Sequence, residues 1–407
     1  MRHDAIVITG TGMLTHLGRR DETLGALRAG RGRPFDPYAR AVDVGCRCTR
    51  VGLIPEEVLA DEALGITRKQ SRFMGSASRM ALVAAREALA QADLVGDREL
   101  AVIVGAGAGD TATHEEVGER LRVHGSARRL RPTVVPRLMA STVSANLVNV
   151  LRTRGPSASI AAACAGGAWN LIVGAGMIRD GLAERALVGG CESVDIHFHA
   201  GFDAMRAYCA DADGTPDTAS RPYAADRAGF IFGEGAGMLV LETRASAEAR
   251  GAAILGVLRG WGASSDGEGE MVQPSRDGAA RSMRAALRHA GVDAADVAYV
   301  NTHATSTPAG DIEEVHALRA VLGDVPYSST KGYTGHMVSA AGSVEAAITL
   351  AFLAEGLAPG CRLEGAVDPE LQAHPPLLST TALSGTLALS NSFGFGGTNA
   401  SLLFREL

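Results

Sequence analysis

Residues 157–180 read SASIAAACAGGAWNLIVGAGMIRD, and the fold and chemistry of the whole chain turn on this stretch. A run of small and β-branched residues ends in Ala163, and Cys164 follows before Ala165, Gly166 and Gly167. The apolar residues after them (Trp169, Leu171, Ile172, Ala175, Met177 and Ile178) are spaced for one helical face, and Gly181 is placed to end that helix. Strand, cysteine, small residues, helix: this order sets the Cys164 sulfur on a tight turn at a helix N-terminus. Free N–H groups and the helix dipole there favour a thiolate. Two readings are open on this stretch alone, a nucleophile and a buried core cysteine.

Composition narrows the class. The chain has 407 residues, 46% of them hydrophobic, enough for one large domain or two joined halves. The N-terminal MRHDAIVITGTGML has too short an apolar run for a signal peptide, and no segment offers about 18 uninterrupted apolar residues for a membrane span. The six cysteines show neither zinc nor disulfide-framework spacing, which suits a reducing cytoplasm. A formal net charge of -6 argues against nucleic acid as a partner. Local basic clusters at Arg68, Lys69 and Arg72, and at Arg128, Arg129 and Arg131, are either solvated surface or docking points for an acidic partner. Only Lys69 and Lys331 are lysines among 39 basic residues. Where arginine serves as the generic cation, a retained lysine points to a need for a compact ammonium group.

Short apolar runs, many closed by glycine, recur at 5–9, 101–104, 186–188, 238–242, 254–258, 297–300, 386–390 and 400–404. Alanine-rich helical segments lie between several of them, at 75–92, 166–179, 279–290, 311–321 and 340–357. Strands apolar on both faces and alternating with helices predict an α/β protein with a buried sheet. A composition shift at 248–252 divides the chain into halves 1–252 and 253–407. The glycines at 10 and 12, and at 105, 107 and 109, lack the spacing and the acidic partner of a dinucleotide site, so no nucleotide cofactor is expected.

The second half carries three dense motifs. NTHATSTPAGD (301–311) puts His303 on a hydroxyl-rich loop after a strand. SSTKGYTGH (328–336) holds Lys331 and His336 ahead of a small-residue helix. NSFGFGGTN (391–399) has glycines that free backbone N–H groups to face a substrate oxygen. Cysteine, two histidines, a rare lysine and a glycine-rich loop together form a set suited to thioester chemistry.

In order and spacing these residues resemble the β-ketoacyl-acyl-carrier-protein synthases, the condensing enzymes of fatty-acid and polyketide assembly. RPYAADRAGFIFGEG (221–235) is similar to a further segment of that family, and the likeness runs from Val7 to the last strand. The resemblance implies a thiolase fold: two similar α/β halves in five α-β-α-β-α layers, assembled as a dimer. It implies that Cys164 accepts the acyl chain, with its own N–H and that of Phe395 as oxyanion hole and Phe395 also as gate. His303 and His336 would hold the malonyl thioester and its enolate. Lys331 would order the site near Glu314 or Glu345, helping to hold His303. Thr305 and Thr307 would bind the phosphopantetheine arm. Arg68, Lys69, Arg128, Arg129 and Arg206 would meet the acidic acyl-carrier protein. Asn301, Glu345, Ser390 and Asn391 resemble positions around a structural monovalent cation. No redox cofactor or catalytic metal is implied.

Departures from the family pattern are Ala304 beside the first histidine, Gly332 and Tyr333 after the lysine, Val272 where threonine is frequent, and Ala108 at the acyl pocket. A small Ala108 would leave room for a longer, branched or unsaturated chain. These departures lean toward the catalytic ketosynthase of a type II polyketide or polyene pathway, paired with itself or with a chain-length-factor-like subunit. The alternatives are housekeeping fatty-acid elongation and a non-catalytic partner subunit. A coenzyme A thiolase fits less well, because the last cysteine, Cys361, lies outside any glycine-rich motif.

Overall fold

The computed structural model describes residues 5–267 and 269–407, so the first four residues of the proposed N-terminal half lie outside it. Along its path the large sheet takes five strands from each half of the chain. The first five are β1 (Ile6–Thr15), β2 (Ala101–Ala106), β3 (Ser157–Ala158), β4 (Arg185–Glu192) and β5 (Gly235–Thr243). The second five are β6 (Gly256–Ser265), β7 (Tyr299–Asn301), β8 (Tyr327–Ser328), β9 (Leu387–Gly394) and β10 (Thr398–Arg405).

Spatial order is β1-β5-β4-β2-β3 in one half and β6-β10-β9-β7-β8 in the other. Both therefore follow first-fifth-fourth-second-third. The directions match as well: first against fifth and fifth against fourth are antiparallel, fourth with second and second with third are parallel. The halves meet where β1 pairs with β6 at Val7↔Val257 and Ile8↔Gly256.

Helices cover both faces of each sheet. α1 (Ser76–Gln91) packs on β1 and β5 outside the first half, and α3 (Arg276–Ala290) packs on β6 and β10 outside the second, with α4 (Pro308–Leu322) beside it. Between the two sheets lie α2 (Gly166–Arg179), against β4 and β2, and α5 (Ala341–Ala354), which touches β5, β9 and α2. Alternate residues of one strand feed different cores: Ala101 and Ile103 face α2, whereas Val102 and Val104 face the helix Thr142–Leu151, in the cluster that α1 also joins. Burial on both sides explains why these strands read as continuous apolar runs. The result is a five-layer thiolase-type arrangement.

Glycine does not close β1 at residue 10, as the sequence predicts; the strand runs on to Thr15. Gly10 and Gly12 instead admit α1. A Cβ on them would stand 2.1 Å from the Ala88 carbonyl oxygen and 2.0 Å from that of Ala84. Gly260 and Gly262 of β6 admit α3 in the same way, with Ala286 and Ser282 carbonyls at 2.9 and 2.1 Å. The repeat is one of backbone approach. No helix among the described residues is long and apolar enough to cross a membrane.

Candidate active site

The site forms where the third-strand connections of the two halves face each other. After β3 the chain runs irregularly to Ala163, whose φ of +44° lies in the left-handed region, and Cys164 follows immediately before α2. This turn sets Sγ at the base of a cavity of about 450 Å³, only 6% of the residue being exposed. In the second half β8 leads through the short helix Lys331–Thr334 to His336, ahead of α5. Nε2 of His336 stands 3.0 Å from Sγ of Cys164. The His303 ring lies 5.3 Å from that of His336 and nearly perpendicular to it, at 86°.

Backbone contacts fix both imidazoles. His336 N–H donates to the Ile231 carbonyl at 2.7 Å, and the His336 carbonyl accepts from Gly233 N–H at 3.1 Å. The 221–235 segment thus brackets His336, and Phe230 meets its ring edge-on at 5.3 Å. His303 and Ala304 donate their N–H groups to the two carboxylate oxygens of Glu314, each at 2.8 Å. Asn391 donates to the same carboxylate at 3.2 Å. Further along the loop, Asp311 accepts from Ser306 and Tyr223 N–H groups and pairs with Arg227 at 3.3 Å. The methyl of Ala304 therefore sits in a loop held from below by two buried carboxylates.

Lys331 is fully buried and pairs with Glu345, not Glu314. Division of labour follows: Glu314 holds the His303 loop, while Lys331 answers Glu345. Burial, then the Lys331 charge, drives the His336 imidazole well below its ordinary value. His303 is lowered in the same way, with His336 as a further cause. Both rings are neutral near pH 7 and can offer an N–H to an oxyanion without carrying a charge.

The cysteine departs from the sequence expectation. Burial pushes the Cys164 thiol up to about 12, and the Glu192 carboxylate adds to that, while Lys331 and the N–H groups of Phe395 and Cys164 pull it down. The position at a helix start does not make Cys164 a thiolate, because burial disfavours the charged form. Cys164 rests as a thiol against His336. The N–H groups of Phe395 and Cys164 are both directed at Sγ.

From the base, the cavity runs outward past Thr305 and Thr307, whose hydroxyls are 3.2 Å apart, to Arg206, Val272 and Met271. Phe395 lies at the mouth, 37% exposed, with its ring 6.0 Å from Phe202. Gly396 N–H donates to the Met271 carbonyl at 2.7 Å, and Asn399 donates to Asp266 at 2.6 Å, tying the glycine-rich loop to the 266–271 loop. Sequence reasoning missed this tie, as it missed Phe230, Asp311 and Arg227.

Ala108 is not brought to the cavity. It is not among the residues that line the cavity. Arg68, Lys69, Arg128 and Arg129 are exposed but do not line the cavity; Arg206 does. Asn301 Oδ1, Glu345 Oε2 and Ser390 Oγ are buried without hydrogen-bond partners, with Asn301 and Ser390 paired across β7 and β9. The Asn391 side chain is fully engaged, accepting from Ser401 at 2.8 Å and donating to Glu314.

Known proteins share this fold. Residues 3–247 match the family described as beta-ketoacyl synthase, N-terminal domain, and residues 255–362 match its C-terminal domain. The chain is 38% identical over 411 residues to 3-oxoacyl-acyl-carrier-protein synthase 1 of Escherichia coli, covering 98% of each. A crystal structure of a beta-ketoacyl synthase from Burkholderia phymatum superposes with a TM-score of 0.93 at 32% identity, over 99% of this chain and 100% of that one. The ishigamide ketosynthase/chain length factor superposes with a TM-score of 0.86 at 29% identity, over all of both chains. By family, full-length similarity and fold, the chain belongs to the β-ketoacyl synthases and is an acyltransferase.

Proposed function

We propose that Cys164 carries the acyl chain and that His303 and His336 run the decarboxylative condensation with a malonyl thioester. The observation that supports this most is the sulfur 3.0 Å from His336 Nε2, with a second neutral imidazole beside it. The Cys164 thiol attacks an acyl thioester delivered by acyl-carrier protein; its proton leaves through His336 to the departing pantetheine thiol. The N–H groups of Cys164 and Phe395 hold the tetrahedral oxyanion. A malonyl thioester then enters past Thr305 and Thr307 and loses carbon dioxide. The two imidazoles hold the enolate oxygen, and its carbon attacks the acyl thioester. A carbon–carbon bond forms, the carbon–sulfur bond to Cys164 breaks, the thiolate left behind takes up a proton from solvent through His336, and a β-ketoacyl thioester two carbons longer departs.

Supporting roles follow from position. Lys331 compensates Glu345 and keeps both imidazoles neutral. Phe395 gates the mouth, where Arg206, with Arg68, Lys69, Arg128 and Arg129 on the outer surface, meets acidic carrier protein. The orphaned oxygens of Asn301, Glu345 and Ser390 suit a hard monovalent cation, to which Asn391 offers only its carbonyl. A small Ala108 would leave room on the acyl side for a longer, branched or unsaturated chain. Division of the chain at 252/253 is supported by the repeated strand order.

For pathway, we read the chain as the catalytic subunit of a type II polyketide or polyene system, acting in the cytoplasm as a homodimer or with a chain-length-factor-like subunit. The departures at Val272 and Ala304, both on the cavity wall, favour it. Fatty-acid elongation is the second reading, favoured by the 38% identity to the Escherichia coli synthase. Product mass after incubation with acyl- and malonyl-carrier protein, with and without a chain-length-factor homologue, separates them. A single two-carbon extension by the chain alone supports elongation; repeated extension without the homologue supports the homodimeric polyketide reading, and condensation that requires the homologue supports the paired one.

A further inference from the structure

Glu192 ends β4, and its side chain is buried, the residue being 2% exposed. Its partners are backbone amides: Gly107 N–H at 2.8 Å and Ser339 N–H at 3.3 Å donate to Oε2, and Ala108 N–H also reaches the carboxylate. These amides belong to two segments that flank the nucleophile. One is the loop leaving β2; the other is the turn Val338–Ala340, which begins two residues after His336. Val338 holds a φ of +43°, a conformation that costs a β-branched residue on the order of 1–3 kcal/mol and persists only where surroundings impose it. The contact is tight, since a Cβ on Gly107 would stand 2.4 Å from Oε2.

We propose that Glu192 is a positioning residue that clamps the loop after β2 to the strained turn after His336 and, through its charge, sets the reactivity of the Cys164 thiol. The inference rests on Cys164 being the nucleophile. The titratable groups around the carboxylate are Cys191 on its own strand and Cys164 at the head of α2; Lys331 and His336 act on the same thiol from the second half. An ionised Glu192 works against Lys331 and keeps the sulfur protonated. Burial pushes Glu192 itself up to about 8, so this brake engages only as pH rises through that value.

The test is the rate of Cys164 alkylation by iodoacetamide in the full-length protein, followed by intact mass and peptide mapping. At about pH 6.5 wild type and Glu192→Gln should react at the same rate, because the carboxyl is protonated. At about pH 9 Glu192→Gln should react about tenfold faster, the equivalent of one pH unit. Gly107→Ala keeps the charge but displaces the carboxylate from its clamp; condensation should fall at least about tenfold in protein whose circular dichroism still shows the native fold. Equal alkylation of wild type and Glu192→Gln at both pH values overturns the charge role. If Glu192→Gln does not fold, the Gly107→Ala arm decides: an unchanged condensation rate overturns the clamp. Cys46, the more accessible thiol, is scored separately by peptide mapping; absence of any Cys164 alkylation at both pH values overturns the nucleophile assignment, and the inference with it.

Discussion

Sγ of Cys164 and Nε2 of His336 lie 3.0 Å apart, and each residue occupies the same place in its own half, between the third strand and the central helix. The pairing follows from topology: two copies of one strand order face each other across α2 and α5, so equivalent turns meet. One turn supplies a sulfur and the other an imidazole.

Because the histidine pair is held by the Ile231 carbonyl and by Glu314 rather than by the sulfur, removing the thiol should leave it intact. Cys164→Ala is expected to lose condensation by on the order of 10⁴-fold or more. It should still release carbon dioxide from malonyl-carrier protein. Labelled carbon dioxide measures this; loss of decarboxylation equal to loss of condensation contradicts the separation.

His303→Ala should do the reverse. Acylation of Cys164 is expected to survive, while decarboxylation falls by about 10²–10³, the usual cost of losing one oxyanion donor. Since burial and Lys331 hold both imidazoles well below their ordinary value, the decarboxylation rate should show no histidine titration between about pH 6 and 8. A step near pH 6.5 contradicts the neutral pair.

Much of this site was legible in the chain. Cys164 stood out because a small-residue run met a helical period, and Lys331 because arginine had replaced nearly every other lysine. The histidines were marked by strand-end loops rich in hydroxyls. The internal symmetry was not legible: it resides in strand order and in glycines that let helices approach, and neither leaves a residue-by-residue repeat. Glu192 was hidden for a related reason. It is one acidic residue at a strand end, and its partners are backbone amides from distant segments, which carry no side-chain signature. Thiolate formation at Cys164 was over-read, since a helix start marks the dipole but not the burial that opposes it.

Lys331→Met leaves Glu345 buried without its cation. Breaking such a pair costs about 3–5 kcal/mol, read as a lower midpoint in urea unfolding. Adding Glu345→Gln should recover part of that loss. No difference between the single and double variants contradicts the pairing.

Arg206 is exposed at the cavity mouth. Arg206→Glu is expected to raise KM for carrier protein about tenfold with kcat nearly unchanged, and the effect should shrink at high salt. A drop in kcat alone would place Arg206 inside the chemistry instead.

Glu234 is buried against the N–H groups of Ile54 and Val194, and burial raises it from 4.5 to about 7. A carboxyl whose folded value lies above its unfolded value binds more protons when folded, so its contribution is present below about pH 4.5 and is lost as pH rises toward 7. Glu234→Gln should therefore lose less stability than wild type across that window. Parallel profiles contradict the assignment.

The most direct test of the account is the intact mass of the protein after incubation with acyl-carrier protein loaded with a panel of chains. A mass gain of one acyl group on wild type, mapped to Cys164 and absent from Cys164→Ala, is the result predicted; malonyl-carrier protein should then clear it as a ketoacyl product two carbons longer. An acyl group carried equally by Cys164→Ala, or by another residue, would contradict the account.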